Sequence, residues 1–219
     1  MASVFAQLIV DSKCHGVHAV LVPLRDKMGN VEDGIKIEDC AYKLGLNGVD
    51  NGRIWFDNVR VPRFNLLNKF GNIDDKGFYS SPIESESRRF FTMLGTLVGG
   101  RLCVPRAGLS AAKSSLTIAV RYALKRRQFG EEGKPEMLIM DYPSHQRRLM
   151  PLIAKTYALD FALTYVTKRY CDSSEEDMRE IETLAAGLKS EATWFTTSAI
   201  QICREACGGK GYLAENRFA

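Results

Sequence analysis

The sequence predicts an α+β protein, with a β-rich segment in front and a bundle of three long helices behind it. Two observations lead there. From Ser3 to about Leu67, short runs rich in β-branched and apolar residues are separated by turn-forming stretches. After a polar connector, apolar residues recur at helical spacing as far as Cys207. No internal repeat or low-complexity tract breaks either pattern.

The first two strands are expected in "VFAQLIV" and "GVHAVLVP", joined through the turn-like "DSKCH". Ile35 and Ile37 alternate in "GIKIED". The Asn51-Gly52 pair then suits the left-handed turn of a hairpin, so Arg53 to Val61 should return beside an earlier strand, with Pro62 ending the ladder. Beyond "NKFGNIDDKGFYSSPIESES" a long helical pattern runs from Arg88 to Gly130, kinked or restarted at Pro105. A second helix is expected from near Pro143 to Tyr170. A third opens on a capping box, Ser173 to Glu176, and reaches Cys207.

Composition narrows the function. The chain has 219 residues and is 45% hydrophobic, enough to bury a core in one large or two small domains. Its net charge of +4 comes from interleaved Lys, Arg, Asp and Glu, so no nucleic-acid partner is expected and any anion site must be local. Six dispersed cysteines form no tight framework and point to a reducing interior. The start carries no basic leader. No apolar stretch approaches the ~20 residues of a bilayer span, so no transmembrane segment is expected.

Three segments can carry chemistry. Gly208-Gly209 in "CREACGGKGY" reads either as a helix C-cap or as a place where absent side chains let a flat or phosphorylated ligand reach the backbone. In "RYALKRRQFG", Lys125, Arg126 and Arg127 precede Phe129 and Gly130. They form either a solvated helix end or a seat for a pyrophosphate with a stacked ring nearby. Arg101, beside Gly99-Gly100 in an apolar helix, is either a ligand contact or half of a buried ion pair. It stands 25 positions before Arg126, about seven turns, which would put both on one face of a continuous helix. Cys14, His15 and His18 lack a second ligand pair, so no metal is expected, and Cys203 and Cys207 read as two small buried side chains. No nucleophile elbow, P-loop or zinc-helix motif occurs, so a cofactor is expected to supply any hard chemistry.

Taken in order, "GVHAVLVPLRD", "DNGRIWFDNVRVP", "LVGGRLCVPRAG", "RYALKRRQFG" and "CREACGGKGY" resemble the acyl-CoA oxidases, flavoproteins related to the acyl-CoA dehydrogenases, and most resemble the plant-type long-chain branch. The resemblance covers nearly the whole chain. It implies that residues 1–70 are the C-terminal part of a middle β-domain, a half-barrel segment. Residues 71–86 would be a connector and 87–219 the first C-terminal helical-bundle domain. FAD is implied as cofactor, lying in the cleft and across a homodimer interface. Arg126, Gln128 and Phe129 fall on the R-x-x-F-G motif that reaches the FAD pyrophosphate and adenosine of the neighbouring subunit, Gly208 and Gly209 on the glycine pair that approaches the cofactor, and Arg101 on the arginine that faces acyl-CoA. The implied reaction oxidises long-chain acyl-CoA to trans-2-enoyl-CoA while molecular oxygen becomes hydrogen peroxide, the first step of peroxisomal fatty-acid β-oxidation. The peroxisome is implied by family alone. The family glutamate that removes the α-proton lies in a segment beyond Ala219, and Glu215 falls on "AENRF", which is not that position. The chain alone is therefore expected to be inactive. Two alternatives share the motifs: a flavin-dependent acyl-CoA dehydrogenase, and a non-catalytic truncated product that binds a partner subunit or acyl-CoA.

Overall fold

A computed structural model describes residues 1–172, 174 and 177–218. The chain divides into two units, Met1–Leu94 and Gly95–Ala219.

The first unit is built from three two-stranded antiparallel sheets and one helix. Strands β1 (Ala2–Val10) and β2 (Lys13–Val22) form a hairpin whose two turn residues, Asp11 and Ser12, both take left-handed backbone (φ 49° and 64°). That is the turn whose twist matches paired strands. The register runs from Ala2 opposite Val22 to Val10 opposite Lys13, with an irregularity between Gln7 and Ile9. Strands β3 (Ile35–Asp39) and β4 (Gly52–Phe56) pair from Ile35 opposite Phe56 to Asp39 opposite Gly52. The strand after Asn51-Gly52 does return beside an earlier one, as expected, but the turn expected at that pair is absent. Residues 40–51 form a long connection whose left-handed positions are Ala41 and Leu46, and Gly52 is already in the strand. Side chains shape that loop instead: Asn47 Oδ1 accepts from the Lys43 amide at 2.8 Å, and Lys43 Nζ donates to the Val49 carbonyl at 2.8 Å. The ladder also stops at Phe56, well before Pro62. A short pair, β5 (Asn72–Ile73) and β6 (Tyr79–Ser80), closes around Asp74, whose carboxylate accepts from the Lys76 and Phe78 amides.

Helix α1 (Glu86–Leu94) is tied down by a buried polar cluster rather than by an apolar face. Arg89 is only 2% exposed and donates to the carbonyls of His15 and Ile83 and to Ser81 Oγ. Its guanidinium lies over the Tyr79 ring, 5.6 Å from the centroid. His18 of β2, 1% exposed, contacts the Gly16 carbonyl through Nδ1 at 3.1 Å and the Tyr79 hydroxyl through Nε2 at 3.0 Å. Both bonds are satisfied if the neutral ring donates from Nδ1 and accepts at Nε2. Gly71 has to lack a side chain, because a Cβ there would lie 2.6 Å from His18 Nε2 and 2.7 Å from the Tyr79 hydroxyl.

The second unit is the bundle: α2 (Val98–Ala123), α3 (Pro143–Asp172) and α4 (Met178–Ala206). Its core falls into three layers. Val98 and Leu102 meet Val166, Ile181 and Ala185; Leu109 and Ala112 meet Leu159, Leu163, Ala192, Phe195 and Ala199; Leu116, Ala119 and Ala123 meet Leu149, Cys203 and Ala206. The order rises together in α2 and α4 and falls in α3. Thus α2 and α4 run parallel, with α3 antiparallel to both. Alanines recur on both sides among the larger core residues, Ala112, Ala119 and Ala123 in α2 and Ala185, Ala192, Ala199 and Ala206 in α4, and a Cβ at Gly108 would sit 3.2 Å from Thr196 Oγ1. Half-exposed ion pairs lace the outside, including Asp160 of α3 between Arg106 (2.6 Å) and Lys113 (2.8 Å) of α2. Each such pair contributes little beside the packed seam.

Two helix boundaries differ from expectation. The long pattern breaks at a 3-10 turn, Gly95–Leu97, and not at Pro105, which is buried inside an unbroken α2. Glycine has a weak hold on helical backbone, and the helix does not restart at Pro105, whose fixed φ is itself helical. The same helix ends at Ala123 and not at Gly130. The expected capping box, Ser173 to Glu176, lies outside the described residues, and α4 begins at Met178 behind Asp177 without a side-chain cap bond.

Burial holds His18 below the ordinary histidine pKa, helped by the nearby Arg89 and His15 charges, while the Gly16 carbonyl and Glu86 oppose this. Burial lowers His145 as well. Below about pH 6.5 the unfolded histidines bind protons that the folded ones refuse, so stability is complete above that value and falls as pH drops through the lowered folded values. The melting temperature is expected to fall between pH 7.5 and pH 5, and His18→Gln to flatten part of that slope. An unchanged slope in the variant would show that His18 is not the titrating group.

Candidate cofactor site

The bundle decides which candidate residues meet. Because α2 and α4 run parallel, their C-terminal ends lie at the same end of the second unit, in the layer holding Ala123, Cys203 and Ala206. "KRRQFG" follows the first helix and "GGKGY" the second. Arg126, Gln128 and Phe129 therefore share one end with Gly208 and Gly209. Arg101 does not join them. It sits in the opposite layer, between Val98 and Leu102, about 33 Å along the axis from Ala123.

Beyond Ala123 the backbone exchanges helical bonds for cross-chain ones. The amides of Lys125 and Arg126 still donate to the Tyr122 carbonyl, at 3.0 and 2.8 Å. The Arg126 carbonyl then accepts from Ile139 (2.9 Å), the Gln128 amide donates to Met137 (2.9 Å), and the Phe129 carbonyl accepts from Met137 (2.8 Å). Arg127 caps this ribbon by donating to the Glu136 carbonyl, and the Tyr142 hydroxyl donates to the Gln128 carbonyl at 2.9 Å. The expectation of one helical face carrying Arg101 and Arg126 therefore fails, since Arg126 belongs to the ribbon.

The ribbon is a rigid mount for exposed side chains. Arg126 is exposed and makes no ion pair or side-chain hydrogen bond among the described residues. Phe129 is 70% exposed although its backbone is left-handed, with φ 61°. A bulky residue in that region costs about 1–2 kcal/mol, and no burial of its ring offsets it here. The ribbon's hydrogen bonds through the Gln128 amide and the Phe129 carbonyl hold that conformation.

The paired glycines divide the two readings between them. Gly208 ends α4 with φ 55°, the left-handed cap conformation. Gly209 has no such φ, and a Cβ on either glycine would meet nothing within 4 Å. The open space fits close approach of a ligand to the backbone. Sequence reasoning missed Gly211, the third glycine of the segment, which is buried and lies so close to the last turn of α4 that a Cβ would overlap the Arg204 carbonyl oxygen. The third glycine in "GGKGY" was the available signal, but only the fold shows what it touches.

Nearby groups are settled. Cys203 and Cys207 are buried free thiols, and burial pushes Cys203 up to about 11, so it stays protonated. Hydrogen bonds from Gln201 and from Arg148, the latter at 2.6 Å, hold the Glu205 carboxyl below its usual range. Arg101 is exposed and has no ion-pair partner among the described residues, which overturns the buried-pair alternative. Gly100 opens onto free space, whereas a Cβ at Gly99 would lie 3.5 Å from the Tyr170 hydroxyl. Glu215 is exposed in a 3-10 turn, Ala214–Asn216. Among the described residues no helix is long and apolar enough to cross a membrane, and no group of three His, Cys, Asp or Glu side chains could hold a metal. A free guanidinium, an exposed aromatic and uncovered backbone at one end of the bundle are groups that a dinucleotide can use for its pyrophosphate, its ring and close approach.

Residues 94–219 match the acyl-CoA oxidase C-alpha1 domain. The chain is 47% identical over 228 residues to the peroxisomal acyl-coenzyme A oxidase 2 of Arabidopsis thaliana, covering 99% of this chain and 33% of that protein. Among solved structures, acyl-CoA oxidase 3 from Yarrowia lipolytica superposes with a TM-score of 0.84 at 37% identity, covering 99% of this chain and 33% of that one. Acyl-CoA oxidase-1 of Caenorhabditis elegans, complexed with FAD and ATP, gives a TM-score of 0.79 at 34% identity over 96% of this chain and 31% of that one. The chain spans about a third of the length of the curated relatives it matches.

If Phe129 is kept for presentation, Phe129→Gly should not lower the melting temperature, because relief of about 1–2 kcal/mol of backbone strain offsets the greater freedom of the unfolded chain. Calorimetry of the two proteins checks this; a loss above about 1 kcal/mol would mean that the ring packs.

Proposed function

The chain belongs to the acyl-CoA oxidase family, an oxidoreductase family, and from that premise we propose that it is the part of an FAD-dependent oxidase that seats the cofactor's dinucleotide end and contributes to the acyl-CoA site. Residues 1–70 are assigned to the end of the middle β-domain, 71–86 to a connector and 87–219 to the first helical-bundle domain. In this reading Arg126 holds the pyrophosphate and Gln128 and Phe129 border the adenosine. Gly208 and Gly209 let the cofactor lie against backbone, and Arg101, at the far end of α2, faces acyl-CoA. The cofactor binds across a homodimer interface in the peroxisome, the compartment for which several relatives are named.

The observation that carries the reading is the meeting of an unpartnered Arg126, a strained exposed Phe129 and open Gly208-Gly209 backbone at one end of the bundle. The residues fit FAD, which when bound supplies the oxidising equivalents that take a long-chain acyl-CoA to its trans-2-enoyl-CoA and reduce oxygen to hydrogen peroxide. The protein's share is binding and orientation. A guanidinium offers a planar fork that matches two phosphate oxygens, and the hydrogen-bonded ribbon fixes its backbone, so that only the side chain is ordered on binding. The separation of Arg101 from Arg126 suits two ligands held at opposite ends of α2.

Titration of FAD against the Arg126 variants tests this. Arg126→Ala should weaken binding by at least about 1.5–3 kcal/mol, the scale of a hydrogen bond to a charged group, and Arg126→Lys by less. Excess FAD should then restore part of the melting temperature. Equal FAD affinity in all three proteins would show Arg126 to be only a solvated charge past a helix end.

A further inference from the structure

Eleven residues after α4, from Gly208 to Phe218, fold back onto the helix they leave, and three contacts hold them. Gly211 is pressed against the Arg204 carbonyl, where a Cβ has no room. Asn216 donates from Nδ2 to the Lys210 carbonyl at 2.7 Å. Phe218 is 7% exposed and completes the core layer formed by Leu116, Ala119, Ala123, Leu149 and Cys203. All three contacts lie beyond the glycine pair, and α4 ends just before it, so the pair is held between the helix and this clamped segment. Gly208, Gly209, Lys210 and Gly211 belong to one 3-10 turn, so fixing the carbonyl of Lys210 and the Cα of Gly211 fixes the two glycines before them.

The need for a clamp follows from the same glycines. Two adjacent residues without side chains, both opening onto free space, have no side-chain packing to restrain their backbone. Left free, they would lose the most entropy on meeting a ligand. We infer that Gly211, Asn216 and Phe218 are positioning residues that hold the Gly208-Gly209 backbone in its cofactor-facing conformation before the cofactor arrives. This rests on the proposed cofactor site and adds to it three residues that touch no ligand themselves.

Asn216 is the residue to change, since Gly211→Ala and Phe218→Ala put the fold itself at risk. Asn216→Ala and Asn216→Asp both remove the donor, whereas Asn216→Gln keeps one on a longer arm. Two readouts are followed in the whole chain: amide hydrogen exchange of Gly208 to Gly211, and affinity for FAD, with Arg126→Ala beside them. The expected result is faster exchange confined to the glycine turn and FAD affinity lowered about fivefold, the factor carried by one hydrogen bond of about 1 kcal/mol. Asn216→Gln should recover part of both, and the melting temperature should hardly move. Unchanged exchange at Gly208 and Gly209 overturns the inference whatever FAD does. Faster exchange with FAD affinity equal to that of the parent overturns it too, provided Arg126→Ala weakens binding. If Arg126→Ala also binds like the parent, the cofactor-site reading falls, and the positioning role falls with it.

Discussion

The close approach of α2 to α4 is the constraint on which the end of the bundle carrying the candidate motifs depends. Gly108, Ala112, Ala119 and Ala123 face Ala192, Thr196, Ala199 and Ala206 through the two layers at that end. Small side chains let two backbones pack with little between them, and every added carbon would force the helices apart. The seam runs the whole shared length of the two helices, so it fixes their relative height as well as their spacing. Since each helix is followed at once by one of the two candidate motifs, the level of the ribbon and the level of the glycine turn are set by a stripe of alanines that touches neither.

The first unit solves a different problem. Its sheets have two strands each, too few to bury a wide apolar face, and β4 is exposed along its whole length. What ties α1, β2 and β6 into one body is polar: Arg89 reaching three oxygens, His18 bridging Gly16 and Tyr79, and the Tyr79 ring between two histidines and a guanidinium. Buried polar groups of this kind favour one arrangement, because breaking any of these bonds leaves a further buried donor or acceptor without a partner beside Arg89 Nε, which already has none.

Much of this was legible in the sequence. The change from a two-residue to a helical period located the β-rich and helical halves, and the family motifs pointed at the residues that the bundle brings to one end. What failed had physical causes outside the local pattern. Basic residues after Tyr122 continue a helical spacing, but the carbonyls of Arg126 and Phe129 find better partners in residues 137–139, which sequence periodicity does not reveal. Pro105 looked like a break because proline in isolation is one; packed on its neighbours it is tolerated, and the weaker signal at Gly95 prevailed. Asn51-Gly52 carried the standard turn signature, yet a loop closed by Lys43 and Asn47 placed it at the start of a strand. Gly211 was hidden for the same reason, since its partner is a carbonyl on the preceding helix.

The parallel orientation of α2 and α4 also orders events in time. Helices adjacent in the chain can meet as hairpins, α2 with α3 and α3 with α4, but the residues of the alanine seam are separated by roughly eighty positions and by the whole of α3. Contacts between distant parts of a chain form slowly, because the loop between them must close before any burial rewards it. The intervening helix shortens that search by acting as a rigid strut that returns the chain to its starting level. The end of the bundle that carries both motifs is thus assembled from the two termini of this circuit, and the motifs come together only once the circuit has closed.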